Sequence, residues 1–249
     1  MKLVRKVFDF FNDDTPYYAA SLSFFTIFAI LPLLALLIVV ISNIPTISQH
    51  LDEIMLYILD FINPTHSTML SLQIEKFLEN TGRLGYIGII YLIFVFTMFF
   101  KDYEYIVNKI HGINARPIYK SFFLYLSFLI CIPALFFIFI YLSTFTELSF
   151  FITFLFIWLV FIILFTVSAN RTISIGASAI SSLITLLTLS VTKTLFGYYV
   201  SANTTYATIY GSFSVALFFF LWIYISWNIY LYGTKLCSIL NKAQIPNEN

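Results

Sequence analysis

The chain has 249 residues, of which 60% are hydrophobic and only 10% charged, with a formal net charge of +1 and a mean hydropathy of +0.92. Water-soluble domains carry about 25% charged residues, so this chain cannot coat itself with charge, and its solvent must be lipid. A near-neutral balance also excludes the broad basic field that nucleic-acid binding needs, and no linker or charged tail divides residues 1–249, so a single integral membrane domain is expected.

Val4, Val7, Phe8 and Phe11 recur at helical spacing among Lys2, Arg5 and Lys6. This predicts a short amphipathic helix lying on the membrane surface. Thr15 is a good N-cap and Pro16 a good first helical residue. The apolar run that follows, about 17–41, is longer than a signal-peptide core, and no small-residue cleavage site follows it. It is read as a first, retained span, kinked at Pro32.

Residues 42–83 are too polar to span. Leu51, Ile54, Met55, Ile58, Phe61 and Ile62 predict one amphipathic helix ended by Asn63-Pro64, and residues 67–80 predict a second, closed by Gly82. Together they make a helical hairpin. The second span is placed at 84–100. A short amphipathic helix follows within 101–120, with Tyr103, Ile106, Ile110 and Ile113 on one face and Gly112 at its end. Further spans are placed at 121–143, 148–167, 176–193 and 210–235, with a hinge at 168–175 and a polar loop at 198–210.

Six spans put both termini on one side. That side collects Lys2, Arg5, Lys6, Lys101, Lys109, Arg116, Lys120, Arg171, Lys235 and Lys242, against Lys76, Arg83 and Lys193 on the other. The positive-inside rule makes the first side cytoplasmic and the 42–83 hairpin extracytoplasmic. The expected fold class is therefore all-α: a polytopic membrane protein with six transmembrane helices plus an extracytoplasmic amphipathic hairpin.

Signals for catalysis are weak. His50 and His66 fall on the outer side and His111 on the inner, so the three histidines cannot share a site. No metal-binding, nucleophile-elbow or phosphate-loop motif occurs. The acidic pairs Asp13-Asp14 and Asp52-Glu53 read as helix starts rather than metal ligands. Cys131 and Cys237, far apart in sequence, read as small hydrophobes. The chain is read as a non-enzyme without cofactor or metal.

Polar positions inside the spans are more informative. Ser178, Ser181, Ser182, Thr185, Thr188 and Thr192 form a hydroxyl stripe along the fifth span. Such groups must face protein or water in a bilayer. Close helix packing is the favoured reading; lining a hydrated path for a small solute is the other. The first span carries a shorter stripe, with Ala19, Ser23 and Thr26 above Pro32. Tyr224, Asn228 and Tyr232 align on the sixth. Asn228 must find a partner there, a stripe hydroxyl or a tyrosine, because a lone buried amide costs several kcal/mol, about 2–7. Ser23, Thr26, Pro32, Ser178, Ser182, Thr185, Thr188, Tyr224 and Asn228 are thus the candidates for a solute path or for interhelical polar contacts. No acidic or basic residue lies deep in a predicted span, which disfavours a proton-driven pump.

Three stretches together resemble the YihY/BrkB family of bacterial inner-membrane proteins. Ala19-Ala-Ser-Leu-Ser-Phe-Phe-Thr-Ile-Phe-Ala-Ile-Leu-Pro32-Leu-Leu is similar to the family's AAxLxFYxLLxLxPLL opening. Ile106-Val-Asn108-Lys-Ile-His-Gly112-Ile with Arg116 resembles its ALNxIWGV…R segment. Tyr210-Gly-Ser-Phe, Leu221-Trp222-Ile-Tyr224 and Tyr232-Gly233 resemble its ending. The chain departs from the pattern where Thr234-Lys235 replaces Ala-Glu and His111 replaces Trp. The resemblance implies a six-span helical fold. It implies less about activity: members have been labelled virulence factors, ribonuclease BN and, in places, exporters of ions or osmolytes. The residues offer nothing for RNA cleavage.

The leading expectation is passage or export of a small solute through spans one, five and six. The alternative is a scaffold for envelope assembly that docks through the 42–83 hairpin and the 101–120 segment. Expected partners are the lipid bilayer and a small solute, with a second copy or an envelope protein as the alternative, and no nucleic acid.

Overall fold

A computed structural model describes residues 10–42, 56, 68–79, 85–143, 149–203 and 213–244. Seven helices lie within them: α1 (Thr15–Ser42), α2 (Thr68–Glu79), α3 (Gly85–His111), α4 (Ile118–Ser143), α5 (Ser149–Ser168), α6 (Ile175–Ala202) and α7 (Phe213–Gln244). The described residues are all-helical, with no strand. Two helical stretches among them, Ile175–Ala202 and Ser214–Ala243, are long and apolar enough to cross a bilayer, and Thr153–Ser168 is a shorter apolar stretch. The surface helix at 4–11 and the first helix of the hairpin fall almost wholly outside the described residues. The second hairpin helix is α2.

Each predicted span coincides with a helix, but the ends differ. The second span and the amphipathic helix expected within 101–120 are one helix, α3, which ends at His111. Lys101 is exposed, yet Tyr103, Ile106 and Val107 continue the buried face of the span, so the helix has no reason to stop where charge begins. It stops at Gly112, whose φ of 73° is left-handed. Gly112 N–H donates to Lys109 O at 3.0 Å and Ile113 N–H to Asn108 O at 2.9 Å, the bond pair of a glycine-terminated helix. α1 continues through Pro32 to Ser42, and α6 continues to Ala202, beyond the predicted end at 193.

The start of α1 also differs by one residue from expectation. Asp14 O accepts the first helical bond, from Tyr18 N–H at 3.1 Å, so Thr15 is already inside the helix. The Asp13 carboxylate accepts from Thr15 N–H at 3.1 Å and from Thr15 Oγ1 at 2.9 Å. Lys235 on α7 pairs with Asp13 at 2.6 Å and also bonds Phe10 O. Burial pushes the Asp13 carboxyl up, but Lys235 and Thr15 outweigh it and hold the group below its ordinary value.

α7 is the central helix, packed on α6, α1 and α3. α5 packs on α6 and α4, and α3 packs on α1 and α4. The core gathers Leu22, Phe96, Tyr103, Val107, Tyr125, Phe165, Ala177 and Leu231, all buried. Thr185 of α6 sits directly against Gly233 of α7, a small-residue contact of the kind that lets membrane helices approach closely.

Candidate functional site

A cavity of about 330 Å³ opens inside the bundle. Five helices build its wall: Thr26 from α1; Phe99, Phe100 and Tyr103 from α3; Phe161 and Leu164 from α5; Leu189 from α6; and Trp222, Ile223, Ser226, Trp227 and Tyr230 from α7. The volume lies at the lower end of small-molecule sites, roughly 300–1,000 Å³. Trp227 is the corner post. Its ring meets those of Phe99, Tyr103 and Tyr230 at 58°, 56° and 83°, and its Nε1–H donates to Thr26 Oγ1 at 2.8 Å. Thr26 Oγ1 in turn donates to Leu22 O at 2.7 Å. The buried Ser226 Oγ has no hydrogen-bond partner among the described residues. A second cavity, about 220 Å³, lies between α4 and α5, and Leu164 stands in the wall of both.

A polar floor closes the first cavity where Tyr103 and Tyr230 enter its wall. Their hydroxyls bond each other, and Tyr103 OH also bonds Ser168 Oγ at 2.8 Å. The next residue, Glu104, is 2% exposed. Its carboxylate accepts from Tyr125 OH at 2.6 Å, Asn108 Nδ2 at 2.9 Å, Arg116 N–H at 3.1 Å and the Arg116 guanidinium at 3.1 and 3.2 Å. A buried carboxylate survives only with such partners. The guanidinium also donates to Val167 O at 2.8 Å, Ser168 O at 3.0 Å and Ala169 O at 2.5 Å. A cation there suits the negative end of the α5 dipole and satisfies carbonyls the helix leaves open.

Two buried asparagines hold the hinge between α5 and α6. Asn108 of α3 accepts from Asn170 N–H at 2.6 Å and donates to Ser168 O at 3.3 Å. Asn241 of α7 accepts from Ser174 N–H at 2.8 Å and donates to Thr172 O at 3.1 Å. Ser174 caps α6 by accepting from Ala177 N–H at 3.1 Å. His111, at the end of α3, is 2% exposed, and neither ring nitrogen has a hydrogen-bond partner among the described residues. Burial, with Arg171 and Lys242 nearby, lowers its pKa to about 4.

The candidates read from sequence separate into two groups. Thr26 lines the cavity; Ser23, Ser178, Ser182, Thr185, Thr188, Tyr224 and Asn228 do not. Ser178, Ser181, Ser182 and Thr185 are buried between helices, whereas Thr188 is exposed. Ser178, Ser181, Ser182, Thr185 and Thr188 each bond a carbonyl about one turn back, such as Ser181 to Ala177 O at 2.6 Å and Thr185 to Ser181 O at 2.7 Å. Ser182 Oγ also accepts from Trp158 of α5 at 3.1 Å. These contacts are those of the packing reading. Ser23 likewise bonds Ala19 O at 2.5 Å. Among the described residues, Asn228 bonds neither a stripe hydroxyl nor a tyrosine side chain; its Nδ2 donates to the Tyr224 carbonyl at 2.9 Å. Pro32 is a member of the continuous α1.

Sequence reasoning missed Glu104, the Asn241 clasp and the aromatic wall. Glu104 stands one turn before Asn108 and twelve residues before Arg116, on the face already marked by Tyr103 and Ile106, and that adjacency was the available signal. Among the described residues, no group of three or more histidine, cysteine or acidic side chains is placed to hold a metal ion.

The sequence matches the profile of the virulence factor BrkB family over residues 7–249. Relatives include a "UPF0761 membrane protein" of Alcanivorax borkumensis, 25% identical over 95% of this chain and 61% of its own length. One of Legionella pneumophila is 24% identical over 91% and 58%. Another, of Aggregatibacter aphrophilus, is 28% identical over 96% and 91%. The chain thus spans about six-tenths of the first two relatives and nine-tenths of the third. No solved structure matches it.

Proposed function

The chain belongs to the virulence factor BrkB family of membrane proteins, and on that premise we propose that it passes a small solute across the bacterial inner membrane through the cavity at the centre of its helices. Six spans, each carried within one of α1 and α3 to α7, cross the bilayer, with the 101–120 segment and both termini cytoplasmic, because ten of the thirteen basic residues then face inward. The role is transport rather than catalysis.

The observation that carries this reading is the cavity itself. A bundle built only for packing fills its centre, since empty volume forfeits dispersion contacts. Here five helices converge on a space of about 330 Å³ and leave in its wall a serine hydroxyl with no partner among the described residues. The scaffold alternative loses one of its two docking surfaces, because the apolar face of the 101–120 segment is folded into the core.

The test is flux in liposomes loaded with a panel of labelled solutes. Leu164→Trp puts a bulky ring in the wall shared by both cavities. Saturable flux of one solute, abolished in this variant while helical content is kept, is the expected result. Flux unchanged by a filled cavity sinks the assignment.

A further inference from the structure

We propose that the aromatic cavity binds a monovalent organic cation of the alkylammonium class, an inference that rests on the transport reading and names its substrate chemistry. Seven of its twelve lining side chains are aromatic, whereas aromatic residues make up 20% of the chain. Leucine and isoleucine would serve a neutral apolar guest equally well. Aromatic rings add a negative face that attracts a cation and gains strength where water is excluded.

The rings are set as walls rather than as a stack. Trp227 stands at 58° to Phe99 and 83° to Tyr230, and Phe161 stands at 67° to Tyr230. An inorganic cation finds little here. It must exchange its hydration for oxygen ligands, and the wall has few to give. Thr26 is already bonded to Trp227 and Leu22. The Tyr103 and Tyr230 hydroxyls are bonded to each other. The nearby Glu104 carboxylate is taken by Arg116, Asn108 and Tyr125. A cation that carries its own alkyl shell needs no such ligands. The Ser226 hydroxyl, without a partner among the described residues, supplies one acceptor for an N–H or O–H group on that guest.

The test compares two probes of one shape on the full chain in a maltoside detergent. One is choline; the other is dimethylbutanol, its neutral isostere with carbon in place of nitrogen. Trp222 and Trp227 line the cavity and report through their emission, with sodium chloride as the ionic-strength control. Saturable binding of choline, about tenfold tighter than the isostere, is expected. Phe99→Leu and Phe161→Leu keep the wall apolar and should weaken choline several-fold while leaving the isostere unchanged. Equal binding of both probes overturns the cation class and leaves an apolar site for the transport reading. Binding of neither also overturns it. Loss or retention of flux in Leu164→Trp decides the transport reading separately.

Discussion

A β-carbon on Gly233 would lie 1.9 Å from Thr185 Oγ1 and 3.1 Å from Phe165 Cζ, so α6 and α7 meet at a separation that only glycine permits. The hydroxyl stripe read from the sequence ends its buried run at this contact, with Thr185 at 2% exposure and Thr188 exposed. Thr185 cannot swing aside freely, because its hydroxyl is bonded to Ser181 O.

Gly233→Ala is therefore expected to destabilise the bundle by about 1–3 kcal/mol, the range for overpacking a filled interior. Adding Thr185→Ala removes the closest atom and should restore part of the loss. Thermal unfolding in detergent measures both. An unchanged midpoint for Gly233→Ala would mean that the two helices are farther apart than described.

The Glu104–Arg116 pair should behave as a buried ion pair. Removing one partner leaves a charge without compensation and costs about 3–5 kcal/mol. Arg116→Met also removes the guanidinium bonds to Val167 O and Ala169 O and one of the two donors to Ser168 O, so it should be the worse of the two. Combining Glu104→Gln with Arg116→Met should cost less than the sum, with a coupling of about 1–3 kcal/mol. Strict additivity in the double-mutant cycle would show that the pair does not act as a unit.

His111 predicts acid sensitivity. The folded group is held neutral down to about pH 4 by burial, reinforced by Arg171 and Lys242, against an ordinary value of 6.5. A depressed folded value means the unfolded chain takes up the proton first. Its contribution to stability is thus complete above about pH 6.5 and is lost as pH falls from there towards 4, on the order of 3 kcal/mol in all. His111→Phe should flatten the unfolding midpoint across that window. A decline of equal size in the variant would assign the sensitivity to carboxylates instead.

Asn228→Leu should leave flux and tryptophan-detected binding unchanged, with a stability change of about 1 kcal/mol or less, because among the described residues its amide bonds its own helix. Thr26→Val should do more. It keeps the shape but deprives Trp227 Nε1 of its acceptor at the cavity wall, and the emission of Trp227 should shift. A silent Thr26→Val beside an inactive Asn228→Leu would reverse the assignment of the two residues.

Much of the framework was legible from apolar run lengths, since each predicted span matches a helix. Gly112 and the 168–175 hinge were readable from glycine and polar punctuation. The fusion of the second span with the next helix was not. Lys101 and Asp102 look like an end, and only the continued burial of Tyr103, Ile106 and Val107 reveals that α3 runs on. Glu104 was hidden for a related reason. Its partner Arg116 lies beyond a left-handed turn, and no periodicity along one helix can report a bond across that turn. The cavity was illegible because residues from five helices make it, none unusual alone. The stripe, by contrast, was visible as a pattern, and its use in packing became clear only when Gly233 and Trp158 were found against it.

Asn241 is translated 67 residues after Ser174, the hinge residue whose amide it receives. A ribosome that has finished α5 and α6 has therefore made a helical pair whose connecting turn is not yet fastened. Asn108 can grip one side of that turn at once, but the other side waits for α7 to enter the membrane. Insertion of α7 is then the step that locks the earlier helices, and a nascent chain stalled before it should leave the α5–α6 turn open to protease.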